Sequence, residues 1–115
     1  MEGHENHNPE DVIQLFAFLS KKYNLAILYE AFHHESVRFG QLEVGIKGIS
    51  TRTLSLRLTE LEENGFLKRN ISREKPVVIS YSLTEKAKDL GDVFMELAKW
   101  SMKWSSGKQK KNTKK

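Results

Sequence analysis

The part of this chain that most restricts its fold is residues 48–84, where a Gly-containing turn, a leucine-spaced helix, a left-handed stop and two β-prone runs follow one another directly. Lys47-Gly48-Ile49 reads as a tight turn, and Ser50 is placed to cap a helix over 50–64. In that helix Leu54, Leu58 and Leu61 fall at i, i+4 and i+7. Gly65 supplies the left-handed stop. The runs 66–72 and 77–82 flank Arg73-Glu74-Lys75-Pro76, a loop without the apolar residues a core segment needs, and predict a hairpin.

The flanks read as helices. Asn8-Pro9-Glu10-Asp11 combines a capping Asn, a first-turn Pro and acids that complement the helix dipole, predicting a first helix to about Ser20. A second is expected over 24–33 around Leu25, Ile27, Leu28 and Phe32. A short third, over 38–46, carries Phe39, Leu42 and Ile46 at i, i+3 and i+7. Thr84 can cap a last helix reaching about Trp104. Residues 1–8 and 105–115 are polar and aperiodic and read as disordered, which leaves one domain over 9–104.

The order helix, helix, helix, helix, strand, strand, helix is mainly α (α+β). Two helices across a short turn, the second leading into a hairpin, form the skeleton of a winged helix-turn-helix. If Leu54, Leu58 and Leu61 face the core, the 100° step per residue turns Arg52, Ser55, Leu56, Thr59 and Glu63 outward, with Thr51 and Arg57 on the flanks. Arg pairs with guanine and hydroxyls reach bases or phosphates, so Ser50, Thr51, Arg52, Thr53, Ser55, Leu56, Arg57 and Thr59 are candidate contacts to a DNA major groove. Arg73 and Lys75 on the hairpin loop, over 72–77, are candidates for the backbone or minor groove, and Arg38 at the start of the third helix joins the set. Glu60, Glu62 and Glu63 lie in the last turns, away from the groove. The competing reading is a winged helix that binds protein as part of a larger assembly; the Arg/Ser/Thr character of the exposed face favours duplex DNA.

Net charge does not help this choice. The formal charge is +4, but residues 105–115 hold five lysines, so residues 1–104 carry −1. That tail can add salt-sensitive phosphate contacts or serve only solubility. Cysteine is absent, which removes disulfides, thiolate zinc sites and thiol redox chemistry. No apolar run reaches the roughly 18 residues of a membrane span and the start lacks a signal peptide's order, so a cytoplasmic protein is expected. His33, His34 and Glu35 are the nearest thing to a metal-ligating group, and adjacent helical histidines diverge by about 100°. No phosphate loop, nucleophile elbow or paired carboxylates appear, and neither an enzyme nor a cofactor is expected.

Several spaced pieces occur together in order: Lys22-Tyr23 with Ile27-Leu28, Arg38-Phe39-Gly40-Gln41-Leu42, Gly48-Ile49-Ser50, the leucine stretch 54–65, and Pro76, Ile79, Tyr81, Leu83 and Thr84 after the hairpin. On these pieces the chain, from about residue 22 to residue 104, resembles the HxlR-type transcription regulators, a branch related to the MarR-like winged helices. The resemblance implies a winged helix-turn-helix that binds DNA, with no inducer specified, and dimerisation through the terminal helices. The residues available for such an interface are Val12, Phe16, Leu19, Val93, Phe94, Leu97, Trp100 and Trp104, of which Phe16, Trp100 and Trp104, with Phe18, look surplus to a three-helix core. A twofold dimer would fit a palindromic operator. The chain departs from the family in lacking the N-terminal cysteine with which some members sense electrophiles, and in carrying Glu35-Ser36-Val37 and Ala87 where the family has glycines.

Overall fold

The computed structural model describes the backbone of residues 9–113 and the side chains of residues 9–105. The elements are α1 (Pro9–Leu19), α2 (Asn24–Phe32), β1 (Val37–Arg38), α3 (Phe39–Gly45), α4 (Thr51–Glu63), β2 (Leu67–Ile71), β3 (Ile79–Leu83) and α5 (Glu85–Thr113). The residues 1–8, read from composition as disordered, and the Asn8 cap lie outside this range.

The core forms where one stripe of each element meets the others. Ile27 and Leu28 of α2, Leu42 of α3 and Leu54, Leu58 and Leu61 of α4 are at most 2% exposed, and Leu67 and Leu83 close the core from the base of the hairpin. Full burial of each such side chain stabilises the fold by about 1.5–3 kcal/mol. Their convergence fixes α4 against α2 and α3.

The ends of α4 are built from local chemistry. Ser50 Oγ accepts from Thr53 N–H at 3.0 Å, satisfying a free donor of the first turn. At the other end Gly65 has φ +82°, Phe66 N–H donates to Leu61 O at 2.8 Å and Gly65 N–H donates to Glu62 O at 3.1 Å. That pair of bonds is a Schellman closure. Phe66 and Leu61 are both buried in the same core, so the stop is also a packing point.

Thr84 ties this closure to the last helix. Its hydroxyl donates to Gly65 O at 2.6 Å and accepts from Ala87 N–H at 3.2 Å, capping α5 as its sequence position suggests. Farther along α5, Phe94 meets Phe32 of α2 edge-to-face at 5.2 Å between ring centres. Gly91 makes room for this contact, since a Cβ there would lie 3.1 Å from the Phe32 ring.

Three features differ from the sequence reading. The sheet has three antiparallel strands in the order β1-β3-β2, because Val37 and Arg38 pair with Tyr81 and Ser80, where a two-stranded wing is expected from sequence. The strands of the hairpin are 67–71 and 79–83, with Leu67 opposite Leu83 and Ile71 opposite Ile79. Finally α5 continues to Thr113, beyond the Trp104 at which the apolar periodicity ends, so the stretch from Ser105 read as a disordered tail has helical backbone to Thr113. Its Lys and Gln residues are good helix formers that give no periodic signal.

Candidate nucleic-acid interface

The outward face of α4 begins at its cap. Ser50 and Thr53 use their hydroxyls on each other, at 2.9 Å, and Thr51 Oγ1 donates to Glu43 of α3. These three residues therefore hold the start of the helix in place while remaining at its surface. Arg52, Ser55, Leu56 and Thr59 are exposed, and among the described residues none of their side chains has a polar partner. Leu56 is 50% exposed in the middle of this face. The helical step that buries Leu54, Leu58 and Leu61 is what turns these four away from the core.

The wing stands clear of the domain. Along β2 only Leu67 is buried, and Lys68, Arg69, Asn70 and Ile71 are exposed. Ser72 N–H donates to Val78 O at 2.8 Å and closes the strands, and Ser72 Oγ accepts from Glu74 N–H at 3.2 Å to turn the chain. Arg73 and Lys75 sit in this exposed loop without an ion pair among the described residues, as does Arg38 at the edge of the sheet.

Several cations near the far half of α4 are instead engaged within the protomer. Lys21 and Arg57 both reach Glu60 Oε1, at 3.0 and 3.3 Å, and Lys86 donates to Asn64 O at 2.8 Å. Arg52 on α4, Arg38 at the sheet edge, and Arg73 and Lys75 on the wing have no ion pair among the described residues, and guanidinium and ammonium groups so placed have the chemistry for phosphates and base edges. Glu62 and Glu63 lie at the far end of α4.

Two groups of expected site residues are placed differently by the fold. Arg57 has a side chain only 17% exposed, and its Nε donates to Lys22 O at 2.9 Å, so its guanidinium is held inside the protomer. Of the residues named for a dimer interface, Leu19 is 8% exposed and belongs to the core, and Phe94 is half-buried against Phe32. Val12 is half-buried, whereas Phe16, Val93, Leu97, Trp100 and Trp104 are exposed. The sequence carries no sign of the bond from Tyr23 Oη to Gly48 O, at 3.2 Å, which joins the α1–α2 turn to the turn before α4. Only the tertiary fold brings those residues together.

A family model described as an HxlR-like helix-turn-helix matches residues 18–109, from the end of α1 through most of α5. The chain belongs to that family. It is similar to the HTH-type transcriptional regulator YvaP of Bacillus subtilis, with 41% identity over 86 residues that cover 75% of this chain and 79% of YvaP. It is 36% identical to the HTH-type transcriptional regulator YodB of the same organism over 86 residues, 75% of this chain and 76% of YodB.

The solved structures agree. A MarR-family transcriptional regulator from Enterococcus faecalis superposes with a TM-score of 0.78 at 27% identity, covering 91% of this chain and 96% of that one. Reduced YodB superposes with a TM-score of 0.75 at 33% identity, covering 85% and 94%. The HxlR-like chain is thus a DNA-binding transcriptional regulator with a winged, MarR-like fold, and its family is not one of enzymes. YodB has also been solved after diamide treatment. This chain has no cysteine, so it has no thiol with which to answer such an oxidant. No helix of the described residues is long and apolar enough to cross a membrane.

Proposed function

We propose that the protein is a cytoplasmic homodimer that binds a palindromic DNA operator in a sequence-specific manner. The start of α4 enters the major groove and the wing rests on the backbone or in the minor groove. The observation that carries this reading is the unpartnered face of Arg52, Ser55, Leu56 and Thr59, set beside a turn held by Ser50, Thr51 and Thr53. Arg52 has the chemistry for guanine and Leu56 for a thymine methyl. Arg38, Arg73 and Lys75 have the chemistry for phosphates.

Dimerisation is supported by the apolar surface that one protomer leaves uncovered. Phe16 of α1 is 62% exposed and Trp100 of α5 is 61% exposed, with Val93, Leu97 and Trp104 on the same terminal helix. A groove of about 940 Å³ between α2 and α5, lined by Leu25, Tyr29, Phe94 and Leu97, continues this surface. Patches of this kind mark interfaces. A twofold pair would offer two copies of α4 to half-sites about one helical turn apart, roughly 34 Å.

Selection of bound duplexes from a random library is expected to return an inverted repeat. On that repeat, Arg52→Ala should weaken binding by roughly 10- to 100-fold, the value of a bidentate Arg–guanine pair, and adding Arg73→Ala should abolish it. Recovery of no consensus, or unchanged binding by the double variant, would overturn the reading in favour of a winged helix that binds protein.

A further inference from the structure

The α1–α2 turn grips the recognition unit at three consecutive residues, none of which the DNA-contact reading uses. Lys21 Nζ lies 3.0 Å from Glu60 Oε1 on α4. Lys22 O accepts from Arg57 Nε on α4 at 2.9 Å, and Arg57 Nη1 also reaches Glu60 Oε1 at 3.3 Å. Tyr23 Oη donates to Gly48 O at 3.2 Å, in the turn that leads into α4. One short segment therefore holds the helix near its start and again two turns later.

The backbone at both ends of the Tyr23 contact is unusual. Tyr23 has φ +82° and is the one non-glycine residue with positive φ among the described residues; Gly48, which receives its hydroxyl, has φ +84°. A bulky side chain persists in the left-handed region only where its surroundings over-determine it. The buried leucines of α4 set how deep the helix sits and which face it turns inward, and directional bonds act on the finer rotation and register within that packing. The Tyr23 bond to Gly48 O just before the helix and the Arg57 bond to Lys22 O at its middle are two such bonds.

We propose that residues 21–23 form a bracket that sets the rotation and register of α4, so that Tyr23 and Arg57 are positioning residues for base reading and do not themselves touch DNA. The inference rests on the DNA-reading role of α4 and adds a determinant of specificity outside the face that meets the duplex. Site geometry is sensitive to displacements of about 1 Å in its supporting shell, and loss of the bracket should therefore harm discrimination before it harms affinity in general.

The test uses the full chain with Tyr23→Phe, which removes one hydroxyl, and Arg57→Gln, which removes the charge. Binding is measured on the selected operator and on a scrambled duplex of equal length across a salt series, alongside thermal unfolding. Each variant is expected to lose about fivefold of the preference for operator over scrambled duplex, with affinity for the scrambled duplex and the salt slope unchanged. If Arg57→Gln instead weakens both duplexes equally and lowers the salt slope by about one, Arg57 contacts phosphate and the bracket is refuted. A lower melting temperature with preference intact refutes it too, since the contacts would then only stabilise the fold. Equal affinity of the parent protein for both duplexes would instead sink the sequence-reading role of α4 itself.

Discussion

Gly65→Ala isolates how much the closure of α4 depends on left-handed backbone. Gly65 has φ +82°, where an L side chain costs about 1–2 kcal/mol. Alanine also removes about 0.4–1 kcal/mol of conformational entropy from the unfolded chain, which works the other way. The added Cβ would lie 3.3 Å from Lys86 Nζ, the movable end of a long side chain, but that ammonium donates to Asn64 O at 2.8 Å. Displacing it weakens one exposed hydrogen bond, worth about 0.5 kcal/mol at the low end of the usual range. The balance is a loss of about 1 kcal/mol, which in a domain of this size lowers the melting temperature by about 4–8 °C. Thermal unfolding followed by circular dichroism, at one fixed protein concentration because self-association shifts the transition, reads this directly. Gly65→Asn serves as the control, because Asn tolerates the left-handed region and should lose clearly less. Melting of Gly65→Ala at or above the parent temperature, or equal losses for Ala and Asn, would show that positive φ is not what this position demands.

Thr84→Val removes a hydroxyl that serves Gly65 O and Ala87 N–H together; a lost cap and a lost part-buried bond should cost about 2 kcal/mol, measurable by urea unfolding, and a change under 0.5 kcal/mol would contradict the capping role. Paired Leu97→Glu and Trp100→Glu substitutions place two carboxylates on the exposed apolar face of α5. Analytical ultracentrifugation should then report the mass of one chain in place of two, with operator affinity greatly reduced. An unchanged sedimentation profile would move the interface off this helix.

The sequence reveals α4 nearly to the residue because everything that defines it is local: a capping hydroxyl at Ser50, leucines at helical spacing, and a glycine at the stop. The outward position of Arg52, Ser55, Leu56 and Thr59 follows from that spacing alone. What depends on distant chain is invisible at that level. Strand β1 is two residues long and owes its conformation to pairing with Tyr81 and Ser80, so no propensity window would detect it. Arg57 sits on the flank of α4 at a position equally suited to solvent or DNA, and the arrival of Lys22 O behind it, together with Glu60, holds it inward. Leu19 fails as an interface residue for a related reason. The apolar residues of α1 cover more than one stripe, and periodicity cannot say that Leu19 meets the core while Phe16 remains outside.

The Ser50 cap and the Gly65 closure bound a helix whose buried and exposed residues do not overlap, and this bears on how operators can diversify. Leu54, Leu58 and Leu61 carry the packing, while Arg52, Ser55, Leu56 and Thr59 are exposed and their side chains have no polar partner among the described residues. On the proposed reading, this face is in effect a replaceable cassette. Its four side chains can be rewritten at little thermodynamic risk, so a lineage built on this scaffold can exchange one DNA address for another while the buried leucines stay the same.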